Sequence, residues 1–333
     1  MSSHRSAIRS FSAVIHQLEK DRQKRRRAAE KQRARMRAEQ SATEAVAVQE
    51  QLLIELTSFH VEDPMHISWE DIKNESPPVQ PTRSAEAEEA ANTKFKQFKP
   101  SWVDKIVGYK RKVRRLELNI LKAVAKDEQK HAGAMLAYEQ QVDAWEALQR
   151  ISGGVLDGEP AAFKEAVEYF HLFVNLEGQA KSLSMIVNEG KVTVALRVLD
   201  TDIVPGYISS KTAGGKLSQK KMPQSKMNKI YQDHVCSAVL RVARDLLAFF
   251  PLKGLVVNAT SNRLNSATGN RENQVLLSVL FYPTSLDEIN FSAIDPSNAM
   301  GNFPHKMKFT QSGGFVAVES IDVGSISHLG KGK

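Results

Sequence analysis

The sequence predicts an α+β protein in which long, coiled-coil-like N-terminal helices precede a compact mixed α/β C-terminal domain. Three observations carry this expectation. Lys20 to Leu56 contains no Gly and no Pro and is built from strong helix formers. Ser101 to Ile151 repeats apolar residues at the three-and-four spacing of a coiled-coil seam. From Glu159 onward, short apolar stretches alternate with turn residues, the pattern of strands and short helices.

The first helix has two parts. Its front lacks any apolar stripe, and a hydrophobic face emerges only at Val46, Val48, Leu52, Leu53 and Leu56. A solvated basic front with a packed rear follows from that distribution. Asp63–Pro64 is the expected stop, because proline has no N–H and restricts the residue before it. A short helix is expected near Trp69–Ile72. Glu75–Ala91, with Pro77, Pro78 and Pro81, reads as an extended linker. The expected organisation is therefore a basic helix over 1–62, a Pro-containing linker over 63–100, a long helix over 101–152, an α+β domain over 159–323 and a flexible tail over 324–333.

In the long helix the seam runs through Val113, Leu116 and Ile120. After an interruption at Ala123 and Asp127 it resumes through His131, Met135, Tyr138, Val142 and Trp145. Some fifty residues of helix extend about 75 Å, too far to stand without a packing partner. That partner is expected to be the N-terminal helix folded back or a second protomer, which makes a homo-oligomer the leading expectation. Ser152–Gly153–Gly154 is the expected end, since glycine tolerates positive φ. The C-terminal domain is then expected to hold a helix over Pro160–Val174 and a hairpin of Leu183–Val187 with Lys191–Leu199. A third strand over Pro205–Ser210 and a helix from about Lys226 to Phe250 follow. Strands at Gly254–Thr260 and Gln274–Tyr282, a short helix near Pro296–Phe303, and strands at Lys306–Thr310 and Phe315–Val318 complete it.

Charge is distributed very unevenly. Twelve basic residues fall in the first forty positions: Arg5, Arg9, Lys20, Arg22, Lys24, Arg25, Arg26, Arg27, Lys31, Arg33, Arg35 and Arg37. Four acids oppose them, and the surplus equals the net charge of the whole chain, +8. The remainder is neutral overall, so the basicity belongs to an arm rather than to the fold. Such an arm seeks nucleic acid or another polyanion. The candidate nucleic-acid-binding residues are Lys20, Arg22, Lys24, Arg25, Arg26, Arg27, Lys31, Arg33, Arg35 and Arg37. A second basic cluster, Lys216, Lys220 and Lys221, lies around Gly214 and Gly215, where a Gly–Gly–Lys hairpin with Lys211, Lys226 and Lys229 nearby suits backbone phosphate contacts.

Asp200 and Asp202 stand near the end of the second expected strand, and Lys211 ends the third. With the order helix, three strands, helix, two strands, residues 159–282 resemble the core of restriction-endonuclease-like nucleases. In that family an acid closes the second strand and an acid–x–Lys triplet lies on the third. The resemblance implies a carboxylate pair holding magnesium that activates water. Here Val204–Lys211 has no carboxylate beside Lys211, and Tyr231 and Gln232 do not keep the family's spacing, so the motif is degenerate. Glu177 and Glu189 are the acids that neighbouring elements can bring toward Asp200. The rest of the chain resembles bacterial proteins that join a coiled coil to an α+β domain.

Other chemistry finds no motif. Thr212–Lys216 lacks the P-loop spacing. His234 and Cys236 lie two apart on a helix and point to different faces, so they do not form a nucleophile–base pair. Cys236 is expected to be a small buried hydrophobe, Ser297 to belong to a helix start, and His131 to pack in the seam. The lone cysteine excludes an internal disulfide and suits a reducing cytoplasm. No apolar run reaches the ~20 residues of a membrane span. Met1–Leu18 has the Arg- and Ser-rich, acid-free amphipathy of a mitochondrial presequence, but the basic run that follows makes one continuous helix the simpler reading. No cofactor, metal site or catalytic residue is expected. The expectation is a cytoplasmic, non-enzymatic nucleic-acid-binding or assembly protein with a helical self-association segment and a partner-docking domain. The alternatives are a divergent magnesium-dependent nuclease and a structural particle or secretion component with a basic anchoring arm.

Overall fold

The structure, a computed structural model, describes residues 3–100, 108–176, 178, 180–188, 191–264 and 268–322; for 3–23, 25, 26, 28, 29 and 175 it describes the backbone alone. The fold is α+β. Two compact units make up the chain, Met1–Ile67 with His171–Lys333, and Ser68–Phe170. Helix α1 (Ser3–Thr57) opens the first unit. The second unit holds α2 (Trp69–Lys73), α3 (Glu86–Lys96), α4 (Tyr109–Leu156) and α5 (Pro160–Tyr169). The first unit resumes with β1 (Ala180–Asn188), β2 (Lys191–Val198), β3 (Tyr207–Lys211), β4 (Leu217–Lys221) and α6 (Gln224–Phe249). It ends with β5 (Gly254–Leu264), β6 (Arg271–Phe281), α7 (Pro283–Asp287), α8 (Pro296–Ala299), β7 (His305–Thr310) and β8 (Gly314–Val316). Among the described residues no helix is long and apolar enough to cross a membrane.

Six strands form one mixed sheet in the order β1-β2-β5-β6-β7-β8. β2 and β5 are parallel, with α6 in the crossover between them, and every other neighbouring pair is antiparallel. The register puts Val192, Val194 and Leu196 beside Leu255, Val257 and Ala259, all fully buried, on one face. Against the sheet packs α6, whose Val235, Val239, Val242 and Leu246 are also fully buried. The helix is buried nearly all round because its far side is covered by the end of α1 and the 3-10 turn Phe59–Val61. The expected third strand does not join this sheet; β3 pairs with β4 as a separate two-stranded hairpin.

Several boundaries depart from the sequence-based expectation for identifiable reasons. α1 ends at Thr57, six residues before Asp63–Pro64. There the hydroxyls of Thr57 and Ser58 donate to the carbonyls of Leu53 and Ile54 at 2.9 and 2.7 Å, competing with continuation of the helix. The Pro-containing segment 63–100 is not an open linker throughout, because α2 and α3 form within it and pack on α4. Asp127, which interrupts the seam, accepts the backbone N–H groups of Ala87 and Glu88 at 3.3 and 2.9 Å and so caps the start of α3. Trp145 donates to the Glu75 carbonyl at 2.9 Å and Gln149 to that of Ile72 at 2.6 Å. The half-buried seam of α4 is thus covered by its own preceding segment.

α4 also runs through Ser152–Gly153–Gly154 to Leu156. A Cβ on Gly154 would stand 2.6 Å from that of Ala162, so this glycine permits the close approach of α5 instead of ending the helix. α5 stops at Tyr169, short of Val174, before His171 adopts a left-handed φ of 49°. The start of the long helix at 101–107 and the tail 324–333 lie outside the described residues.

Candidate nucleic-acid interface

The rear of α1 is anchored by residues at seven-residue spacing, Ala42, Gln49 and Leu56, which are 1%, 9% and 8% exposed. Two helical turns separate successive members, so all three lie on one face and the remaining faces are left to solvent. Ahead of that anchor, Lys24, Arg27, Lys31, Arg33, Arg35 and Arg37 are exposed. No ion pair engages them among the described residues. Arg33, Arg35 and Arg37 fall on alternate sides of the helix because each step of two residues turns about 200°. Lys20, Arg22, Arg25 and Arg26 continue the same helix, their backbone helical throughout.

The second basic cluster joins the first through the β3–β4 hairpin. Gln49 pairs with the open edge of β3: its side-chain amide donates to the Tyr207 carbonyl at 2.7 Å, and its oxygen accepts the Ser209 N–H at 2.6 Å. A strand edge that would otherwise expose unpaired backbone groups is thereby closed by a helix side chain. At the hairpin tip Gly215 has φ +77°, and a Cβ there would lie 3.3 Å from the Glu39 Cβ. Lys211 pairs with Glu39 at 2.6 Å and holds its carboxyl below the usual range, by hydrogen bond first and by charge second. Lys216, Lys220 and Lys221 are exposed on this hairpin. The hairpin tip, with Lys216, therefore lies beside Glu39, one helical turn from Arg35, whereas Lys220 and Lys221 lie level with Gln49, further along α1. Lys229 stands apart. Burial would lower its pKa, but hydrogen bonds to Asp233 and Asp295 raise it, so this ammonium serves the α6–α8 junction.

A separate polar cavity of about 370 Å³ opens at the C-terminal ends of the parallel strands β2 and β5, where α/β sheets commonly place ligands. Asp200, Asp202, Tyr231, Ser261, Arg263 and Arg271 line it. Burial pushes the Asp200 carboxyl up, yet its hydrogen bonds with Lys181 and Ser261 leave it below the usual range. Tyr231 is pushed up to about 12 by burial and donates to the Leu199 carbonyl at 2.8 Å. The two arginines are also engaged, Arg263 with the Phe315 carbonyl at 2.7 Å and Arg271 with that of Asn262 at 3.3 Å. Lys211, the lysine of the nuclease-like half-motif, is on the separate hairpin with Glu39. Glu177 and Glu189 lie outside the described residues. Among the described residues no group of three or more His, Cys, Asp or Glu is arranged to hold a metal ion.

The remaining candidates occupy structural positions. Cys236 is fully buried, and burial pushes its thiol up, away from the reactive thiolate. Ser297 donates to Asp295 at 2.8 Å in the cap of α8. His131 is half-buried in the α4 seam. Sequence reasoning missed a joint between α1 and α6. His60 Nδ1 lies 2.8 Å from Ser237 Oγ, and His234 Nδ1 donates to the Leu56 carbonyl at 3.0 Å, taking up one of the free carbonyls of the last turn of α1. The sequence signal that could have located the hairpin contact is Gln49, a polar residue at seven-residue spacing between Ala42 and Leu56.

No family model matches the chain, and no curated protein or solved structure is significantly similar to it.

Proposed function

We propose that this chain is a non-enzymatic nucleic-acid-binding assembly protein of the cytoplasm, which grips phosphate through the front of α1, self-associates through α4 and docks a partner through its α+β unit. The observation that carries the reading is the set of exposed cations Lys24, Arg27, Lys31, Arg33, Arg35 and Arg37, extended at its rear by Lys216, Lys220 and Lys221. A helix whose described cations point to two opposite sides, with no single stripe for base edges, reads phosphate charge rather than sequence. The fully buried lone cysteine is in keeping with a reducing compartment.

A gel-shift salt series on single- and double-stranded DNA and RNA tests this. Each phosphate neutralised on duplex DNA releases counterions, so log affinity falls against log salt with a slope of about 0.9 per contact. Deleting Met1–Arg37 is expected to flatten that slope and weaken binding to every sequence alike. An unchanged slope would place binding elsewhere, first at the hairpin lysines. Magnesium is expected to leave the nucleic acid intact; cleavage that disappears in Asp200→Ala or Asp202→Ala would replace this reading with the nuclease.

A further inference from the structure

The face of α4 opposite the one covered by α2 and α3 is exposed from Arg111 to Asp143, before α5 packs on its C-terminal end. Asp127 and Trp145, which bond to the covering segment, point about 180° away from Leu118. On Leu118's own side lie Leu121 and Leu136; these three leucines are 49%, 65% and 59% exposed. Leu118 and Leu136 are separated by five helical turns and so stand in line along the axis. Ten exposed positions on this side run from Arg111 to Asp143 in unbroken steps of four and three, the spacing of a coiled-coil seam. Read from either end, the steps are the same, and their midpoint is residue 127.

The chemistry is also complementary about that midpoint. Reversing one copy against another sets Arg111 opposite Asp143, Arg115 opposite Glu139, and Leu118 opposite Leu136. Between them come Lys122 opposite Ala132, and Ala125 opposite Gln129, small residues that let two helices approach closely. A parallel pair would instead set Arg111 on Arg111 and Glu139 on Glu139. Resting on the reading of α4 as the self-association element, we propose that its occupant is a second copy of this chain, paired antiparallel about a two-fold axis near residue 127. Such an interface is isologous: the same patch on both copies, closed at two. The seam foreseen from Val113 to Trp145 packs within the chain, and the Leu118–Leu136 face packs between chains.

Charge variants of the full chain test this by sedimentation across a concentration series. Arg111→Glu with Arg115→Glu makes both ends of the face acidic, and Glu139→Arg with Asp143→Arg makes both basic. Each variant alone is expected to dimerise about tenfold or more weakly than the wild type, from several like-charge contacts, while an equimolar mixture recovers a stable heterodimer. Because Cys236 is fully buried, introduced cysteines report cleanly. Leu118→Cys mixed with Leu136→Cys is expected to cross-link under mild oxidation, and Leu118→Cys alone is not. Cross-linking of Leu118→Cys with itself, or a mixture of charge variants that stays monomeric, overturns the antiparallel pairing. A wild-type dimer insensitive to these changes but lost in Ile120→Lys with Val142→Lys moves self-association to the other face, overturning the inference while sparing the reading it rests on. A wild-type chain that is monomeric throughout overturns both.

Discussion

Gln49 of α1 accepts the Ser209 backbone N–H of β3 at 2.6 Å while donating to the Tyr207 carbonyl on the same strand. One side chain thereby supplies both hydrogen bonds that a neighbouring strand would make. This clamp aligns the β3–β4 hairpin with α1 and brings its lysines to the basic arm. Gln49→Ala leaves the Ser209 N–H and Tyr207 carbonyl without partners in a largely dry contact, at a cost of about 1–3 kcal/mol. Amide exchange over 207–211 is expected to quicken, and the salt slope for nucleic acid to become shallower. Full protection of the Ser209 amide in the variant would show that the clamp does not hold the strand.

The junction between α1 and α6 is expected to weaken in acid. Burial lowers the His234 pKa to about 4, the hydrogen bond to Leu56 opposing it only in part. Burial, with Arg244 nearby, also lowers that of His60. Nε2 of each ring is buried without a partner among the described residues, so a second ring proton gains no acceptor there. In the unfolded chain both rings bind protons near pH 6.5. The unfolded state thus takes up more protons between about 6.5 and 4, and stability falls as pH drops through that window. For His234 the loss reaches about 3 kcal/mol below pH 4. Chemical denaturation from pH 7.5 to 4 checks it: His234→Phe should be less pH-dependent than the wild type, and an identical dependence would assign the effect to other groups.

Arg241 and Asp245 form a buried pair on α6 at 2.7 Å, their side chains 7% and 3% exposed. Burial pushes the Asp245 carboxyl up, and the arginine opposes that shift. Arg241→Met strands the carboxylate, and breaking such a pair costs about 3–5 kcal/mol. Adding Asp245→Leu should recover much of the loss, because no buried charge is then left unpaired. Equilibrium melts of the two single variants and the double variant give the coupling. Simple additivity would show that the pair does not act as a unit.

Adjacent glycines in α4 should respond in opposite directions. A Cβ on Gly154 would meet Ala162 Cβ at 2.6 Å and Glu159 Oε2 at 2.9 Å, so Gly154→Ala is expected to cost about 1–3 kcal/mol by overpacking. At Gly153 nothing lies within 4 Å and φ is ordinary, so Gly153→Ala should stabilise by about 0.4–1 kcal/mol through reduced freedom of the unfolded chain. Thermal melts that move in the same direction for both would refute the close approach of α4 and α5.

What the sequence determined by itself is whatever depends on neighbours along the chain. The Gly- and Pro-free run to Leu56 specifies α1, the three-and-four spacing from Val113 specifies α4, and the alternating apolar positions of 192–198 and the apolar run at 255–257 specify strands. The uneven charge, all surplus in the first forty residues, was legible there too. Tertiary structure alone decided which faces meet. Nothing local distinguishes β3 as a strand outside the main sheet, because that follows from Gln49, about 160 residues away, pairing with its edge. The covering of the α4 seam by 69–96 depends on Asp127 capping a helix within a proline-containing segment. His234 becomes a buried neutral ring only because the last turn of α1 ends against it. Propensity and periodicity act over a few residues, whereas desolvation and the pairing of backbone groups are settled by segments that meet only when the chain is folded.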